Sequence, residues 1–317
     1  MSSDSDSKEF VSGQTITMTM SMTPELHSMM KEWSARVPTL YMLDICVVGV
    51  TKLNEDALKR MERKAKLVEH LRYLDREYNS FSYLFALMEK VSDSRGLMSL
   101  EELETQVIAD LSALRAFFEK ARVIETDDFV ISFLRELQGQ PIELSRENYL
   151  HFIKVLNNKL NLLNPVSSTK RLSITRQILK EAELLSIYKQ HPVVIIAIAC
   201  VYGNSAARKL MKFKSDSEKF DAENALADIL LISRFAKVKL EIEHCAREGN
   251  GPYARVNFLT DDNGLIDILK YYDPQSVKYD DHAHGRESKL EMTVKLEKML
   301  SMEGDDEYAE LFELLYS

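Results

Sequence analysis

Most of the chain carries apolar residues at helical spacing, interrupted by a few strand-like runs. Residues 14–22 alternate Ile16, Met18, Met20 and Met22 with Thr and Ser, the period of a strand with one apolar face. Thr23, Pro24 and Glu25 then supply an N-cap, a first-turn proline and an acid near the positive helix end, which predicts a helix over 24–36. The run 38–50, PTLYMLDICVVGV, is almost wholly apolar and predicts a strand buried on both faces, as in a parallel sheet. Leu58, Met61, Ala65, Val68 and Leu71 space an amphipathic helix over 54–77. Residues 80–91 predict a second, more buried helix bearing Glu89 on its apolar body.

Ser99, with Glu102 three residues on, is a capping-box pattern that opens a helix over 99–121. Helical periods follow over 127–138, 145–163 and 173–189, and the stretch 95–190 shows no strand signal. It therefore predicts a helical insertion. Residues 191–202 are strand-like, although their alanines also allow a buried helix. A helix over 221–236 turns Ala222, Leu226, Ile229 and Leu230 inward. Residues 255–260 predict a short strand that stops in the turn cluster Asp261-Asp262-Asn263-Gly264, followed by a helix over 265–271. A polar irregular loop is expected over 272–285, and an acidic amphipathic helix or helix pair over 287–316. The class is α/β.

Composition narrows this picture. A chain of 317 residues allows one large domain or two modest ones. It buries about three-quarters of its unfolded surface, so it needs no disulfide or structural metal to fold. Ten glycines and seven prolines are too few for a collagen-like, linker-rich or largely disordered chain, and they disfavour a pure β-sandwich. Cys46, Cys200 and Cys245 are odd in number and far apart, neither a zinc knuckle nor a secreted framework; a reducing, cytoplasmic setting is expected. The polar, acidic start is unlike a signal peptide, and no apolar run approaches the ~20 residues that span a bilayer. A net charge of −9 argues against nonspecific duplex binding over the whole surface but leaves room for a local basic groove. Nucleophile elbows and phosphate-cradling glycine loops are absent, which disfavours serine hydrolases, NTPases and dehydrogenases. Trp33 is expected as a core anchor.

Acids in apolar surroundings are the candidate chemistry. Asp44 interrupts an apolar run, where an unpaired charge costs several kcal/mol. The escape is the C-terminal end of a strand, where parallel α/β sheets bind ligands. Glu89 sits in an apolar helix, Asp228 within Asn-Ala-Leu-Ala-Asp-Ile-Leu-Leu, and Asp261–Asp262 directly after a strand. Each alone has a structural explanation: a helix surface, an ion pair with Arg234 or a lysine, an Asx turn. Brought within ~4–6 Å, such carboxylates raise one another's pKa values. A hard divalent cation, Mg²⁺ or Mn²⁺, removes that penalty.

With these residues in order, the chain resembles the PIN-domain nuclease family. Tyr-Met-Leu-Asp44 looks like that family's opening strand and first metal-binding aspartate. Glu89 sits where the family keeps its glutamate, the Asp228 helix is similar to that of the third acid, and Thr260-Asp261-Asp262 looks like the closing turn. The resemblance implies a central parallel sheet flanked by helices. It divides the chain into a strand and helix over 1–37, a nuclease core over 38–95 and 191–285, a helical insertion over 96–190 and an acidic helical tail over 286–317. It implies Mg²⁺- or Mn²⁺-dependent hydrolysis of a phosphodiester, in RNA more than DNA, with Asp44, Glu89, Asp228 and Asp262 as catalytic and metal-binding acids. Asp261 and Asp221 are further candidate ligands, and Thr260 and Asn224 are auxiliary. Isoleucine follows Asp44 where the family usually has a small hydroxyl or amide residue. By family analogy the role is that of an intracellular toxin or phage-defence effector. A homo-oligomer and an inhibitor or partner protein are compatible with it, and no membrane partner is expected.

The substrate backbone needs cations, and two acid-free runs offer them. Lys170, Arg171, Arg176 and Lys180 form one; Arg208, Lys209, Lys212 and Lys214 form the other. Two alternatives stand beside this reading. Arg146 and His151 resemble the Arg–His pair of metal-free HEPN ribonucleases, with Glu147 where that family prefers Asn, Asp or His. A catalytically degenerate PIN-like interaction protein would keep the sheet without needing all four acids. His282 and His284 with Asp280 and Asp281 could chelate a metal, against the simpler reading of a solvated turn.

Overall fold

The computed structural model describes residues 21–92, 98–137, 145–282, 285–302 and 306–316. The chain divides into two units, Met1–Val37 and Pro38–Ser317. The expected strand over 14–22 lies almost wholly outside the described residues; 21 and 22 have no regular structure. In the first unit α1 (Pro24–Ala35) begins as its sequence predicts, with the Thr23 hydroxyl accepting from the Leu26 N–H at 3.2 Å and proline in the first turn. Trp33, expected as a core anchor, is exposed.

The second unit is built on four parallel strands in the order β3-β2-β1-β4. These are β1 (Thr39–Leu43), β2 (Asn79–Ser82), β3 (Arg122–Val123) and β4 (Arg255–Leu259). Between β1 and β2 run α2 (Ile45–Val50), α3 (Glu55–Lys59) and α4 (Glu62–Leu74). Between β2 and β3 run α5 (Leu84–Ser92) and α6 (Leu100–Phe117). From β3 to β4 come α7 (Asp127–Leu137), α8 (Arg146–Asn158), α9 (Arg171–Leu184), α10 (Pro192–Val201), α11 (Ser205–Met211) and α12 (Ala222–Arg247). After β4 come α13 (Asn263–Leu269), the hairpin β5 (Tyr272–His282) and β6 (Gly285–Val294), α14 (Leu296–Leu300) and α15 (Asp306–Tyr316).

The strand period of two sends alternate β1 side chains to opposite faces. Leu40 and Met42 pack with Phe85 and Val256 and against Phe235, Val238 and Ile242 of α12. Leu43 joins Phe81, Leu111 and Leu114 on the other side, with Tyr41 packed against them. A third and larger core is helical, formed by α8 to α13 with α14 and α15.

Several expected elements are corrected. The run 38–50 is a strand and then a helix: the Asp44 N–H still bonds to the Leu259 carbonyl, while the Asp44 carbonyl accepts from Val47 and Val48. An apolar run cannot mark that hinge, because both halves are buried. The helix expected over 54–77 breaks into α3 and α4. The helix expected over 80–91 begins as β2, since Ser80 and Phe81 pair with Leu40 and Tyr41.

Residues 96–190 are not a separate helical insertion. Leu103, Val107, Leu111 and Leu114 of α6 share a core with Leu43 and Phe81, and β3 completes the sheet edge. Two residues are too short to register as a period. The strand-like run 191–202 is helix α10, with the His191 ring nitrogen Nδ1 capping the Val193 N–H at 3.2 Å and Pro192 in its first turn. Val193 to Val201 are all buried, so its sequence carries no amphipathic signal.

The expected loop over 272–285 and the start of the expected tail helix form the β5–β6 hairpin instead. Exposed cross-strand pairs such as Lys289–Asp280 at 2.6 Å hold it. Nor are residues 286–317 an appended helical tail: Leu296, Met299, Leu300, Leu311 and Leu315 are buried in the helical core. Among the described residues no single helix is long and apolar enough to cross a membrane.

Candidate functional site: a carboxylate cleft at the sheet's C-terminal edge

Asp44 directly follows β1 as the N-cap of α2, Thr260 follows β4, and both lie at the C-terminal edge of the sheet. Asp44 is 6% exposed. Its Oδ2 accepts from the Thr260 hydroxyl and, at 3.0 Å, from the Cys46 thiol. Burial first, then the Asp44 charge, pushes the Cys46 thiol up to about 12 and keeps it protonated. Phe85, Met88, Glu89 and Ser92 recur at i, i+3, i+4 and i+7, so one face of α5 lines the cleft beside Asp44. Glu89 Oε2 accepts the Ile45 N–H at 3.3 Å, and its carboxyl hydrogen-bonds with that of Asp44. Burial, reinforced by that bond and the Asp44 charge, raises Glu89 to about 9.

The opposite wall is α12, which contributes Ala227, Asp228, Leu231 and Arg234. Asp228 is raised to about 6, chiefly by burial and also by the charges of Asp262 and Asp44, against the pull of Lys212. Asp262 is the N-cap of α13. Its Oδ1 accepts from the Gly264 and Leu265 N–H groups at 2.7 and 3.1 Å. Its own N–H donates to Thr260 Oγ1 at 3.0 Å, so Thr260 links Asp44 to the Asp262 turn. The Lys212 ammonium bridges Asp228 Oδ2 at 2.9 Å and Asp262 Oδ2 at 3.2 Å. Its own burial opposes the charge, but these two carboxylates hold Lys212 above the ordinary lysine range. Gly264 permits the approach: a Cβ there would lie 3.0 Å from both Asp262 Oδ1 and the Lys209 Cβ.

Asp44, Glu89, Asp228 and Asp262 thus come together from four elements, as two pairs. Asp44–Glu89 is joined by a hydrogen bond and Asp228–Asp262 by an ammonium. Among the described residues, no three His, Cys, Asp or Glu side chains stand together as a ready-made metal cage. Asp261 is turned toward α4, where Arg63 Nε bonds its carboxylate at 2.8 Å. Asp221 is the N-cap of α12 and accepts the Asn224 N–H at 3.0 Å; neither residue lines the cleft.

Of the eight candidate substrate cations only Lys212 bonds to these acids, and Lys180 and Lys214 are exposed. The Arg171 guanidinium lies 5.4 Å from the centre of the Tyr202 ring, Arg176 pairs with Glu310, and Arg208 bonds the Leu163 carbonyl. Lys170 and Lys209 are exposed, the latter beside Gly264. Arg146 is paired with Glu223, and His151, five residues on, stands about 140° around the α8 axis and is exposed. Asp280 pairs with Lys289, and the side chains of 281 and 282 and residues 283–284 lie outside the described residues.

Sequence reasoning missed Ser92 and the placement of Arg234 in the cleft wall. The i+3 step from Glu89 to Ser92 was the available signal for the first. It also passed over three buried acids with structural roles. Asp75 accepts the N–H groups of residues 119, 120 and 121, which hold it below the usual range despite burial. Asp110 is bonded by Lys52, Lys90 and the Tyr83 hydroxyl. Glu125 accepts from the Ser82 hydroxyl and the Tyr83 N–H. Each of these has its own set of donors, whereas the four cleft acids crowd one another. No protein-family model, curated protein or solved structure matches the chain.

The raised Glu89 carries a pH signature in the metal-free protein. Its folded pKa of about 9 exceeds the ordinary carboxylate value, so the folded state holds an extra proton between about pH 4.5 and 9. Stability from this group is present below the lower value and lost as pH rises toward the upper one. Glu89→Gln in EDTA is therefore expected to raise the melting temperature at pH 8.5, with the gain vanishing near pH 4.5. An equal shift at both pH values would refute the assignment.

Proposed function

We propose that the chain is a PIN-like, metal-dependent endonuclease that hydrolyses phosphodiester bonds, in RNA more than DNA. Three acids that line one cleft at the C-terminal edge of a parallel sheet, Asp44 after β1, Glu89 of α5 and Asp228 of α12, carry this reading, with Asp262 joined to them through Lys212 and Thr260. Parallel sheets bind ligands at that edge, and crowded carboxylates with raised pKa values mark functional sites.

The donor set fits a hard divalent cation. The oxygens of Asp44, Glu89, Asp228 and Asp262 suit Mg²⁺ or Mn²⁺, and the sulfurs beside them are the protonated Cys46 thiol and the Met88 thioether. When bound, such an ion lowers the pKa of water and offsets charge on phosphate oxygens. The chain's own groups do the rest. Thr260 orients the Asp44 carboxylate through its hydroxyl and fixes the Asp262 turn through its oxygen. Arg234 and Ser92 line the same cleft as Asp44, Glu89 and Asp228. Phe85, Met88 and Leu231 exclude water around them.

The test is cleavage of an end-labelled single-stranded RNA in Mn²⁺. EDTA is expected to abolish it, and Asp262→Asn to slow it by about 10²-fold, the scale of a lost charge-stabilising group. Cleavage that survives EDTA but disappears in His151→Ala supports the Arg146–His151 alternative. Absence of both cleavage and Mn²⁺-linked stabilisation supports a degenerate interaction scaffold.

A further inference from the structure

We propose that Lys212 is the resident cation of the Asp228–Asp262 half of the cleft, so that the site takes one divalent ion, on the Asp44–Glu89 half. This deepens the metal-dependent reading above and rests on it. The ammonium lies 2.9 Å from Asp228 Oδ2 and 3.2 Å from Asp262 Oδ2, one oxygen from each carboxylate. The other Asp262 oxygen is already committed to the Gly264 and Leu265 N–H groups at the start of α13. A second ion between these carboxylates would therefore have to displace the ammonium or share its oxygens with it, and two cations at that separation repel.

The lysine is also anchored at its base. It closes α11 in the left-handed conformation, φ +52°, with its N–H on the Arg208 carbonyl at 3.1 Å. A left-handed non-glycine residue is uncommon and is kept where its surroundings hold it. Here α11 is pressed against α13: a Cβ on Gly264 would lie 3.0 Å from the Lys209 Cβ and 3.2 Å from the Leu210 nitrogen. The side chain therefore starts from a fixed point next to both acids. The Asp44–Glu89 half is served differently, by an N–H from Ile45, a hydroxyl from Thr260 and a thiol from Cys46. These donors are all neutral, so no resident cation has to be displaced there, and that is where an added divalent ion enters. In this arrangement Lys212 is a positioning residue for two carboxylates rather than a phosphate contact.

Counting bound Mn²⁺ per full-length chain, from the loss of the free-ion paramagnetic resonance signal, tests this without any substrate. The wild type is expected to hold one ion. Lys212→Met and Lys212→Gln, each checked for folding by circular dichroism, are expected to hold two, and Lys212→Arg one. Adding Asp228→Asn to either neutral variant should return the count to one. Two ions in the wild type, or one ion in both neutral variants, overturns the assignment of Lys212 and leaves the metal-dependent reading standing. No bound ion in any of these proteins overturns that reading and this inference together.

Discussion

Asp44→Asn is expected to lower Mn²⁺-dependent RNA cleavage by about 10²–10³-fold and to remove most of the Mn²⁺-linked rise in melting temperature. The metal-free variant should nevertheless melt slightly higher than the wild type. Asparagine keeps an oxygen for the Thr260 hydroxyl and the Cys46 thiol, so no buried donor is orphaned. It removes one of the charges that raise Glu89 and Asp228. A relief of about 1 kcal/mol would appear as about 2 °C in a chain of this size. Loss of activity with a gain in resting stability is the sign of a site strained for chemistry. A structural Asp44 would give the reverse, and a variant that melts well below the wild type in EDTA while cleaving RNA normally would sink the active-site assignment. Asp228→Asn should follow the same direction in activity. It also leaves Lys212 with one carboxylate instead of two.

Phe81→Ala should give the largest loss of stability, about 3–5 kcal/mol by chemical denaturation, because a buried aromatic leaves a cavity that its neighbours only partly fill. Phe81 is fully buried on β2, with the Phe118 ring at 3.7 Å and the Tyr41 ring at 5.4 Å. It joins the strand to α6, which holds Leu111 and Leu114 in the same core. The side chain packs within the apolar core of this face, so binding of Mn²⁺ at a temperature where the variant is folded should change little. A cost under about 1 kcal/mol would mean that this core is not what holds the sheet.

Signals carried by neighbours in sequence were legible. The Thr23 cap, the Ser99–Glu102 capping box and the short strand β4 rest on a few adjacent residues, and each took the expected form. Asp44 and the Thr260-x-Asp262 turn stood out because they close apolar strands. What depended on partners was not legible. The α10 sequence, buried on every side, lost its helical period, and β3 is too brief to show one. The β5–β6 hairpin is held by charged pairs across strands, and the same charges in sequence look like a loop. Within the cleft, nothing near Asp261 indicates that Arg63 turns it away, and nothing near Lys212 indicates that it joins two acids. Those facts arise only when distant segments meet.

The link between β1 and the turn after β4 spans 216 positions, and Asp44 is bonded to Thr260 across that interval. A ribosome adding about 5–20 residues per second needs roughly 10–40 s to make the missing portion. Throughout that interval the nascent polypeptide carries β1 without its hydrogen-bonding neighbour on that side, and Asp44 without Thr260. Assembly of the cleft is thereby postponed until translation has passed residue 262, so a product that stops short of that point cannot bring all four acids together.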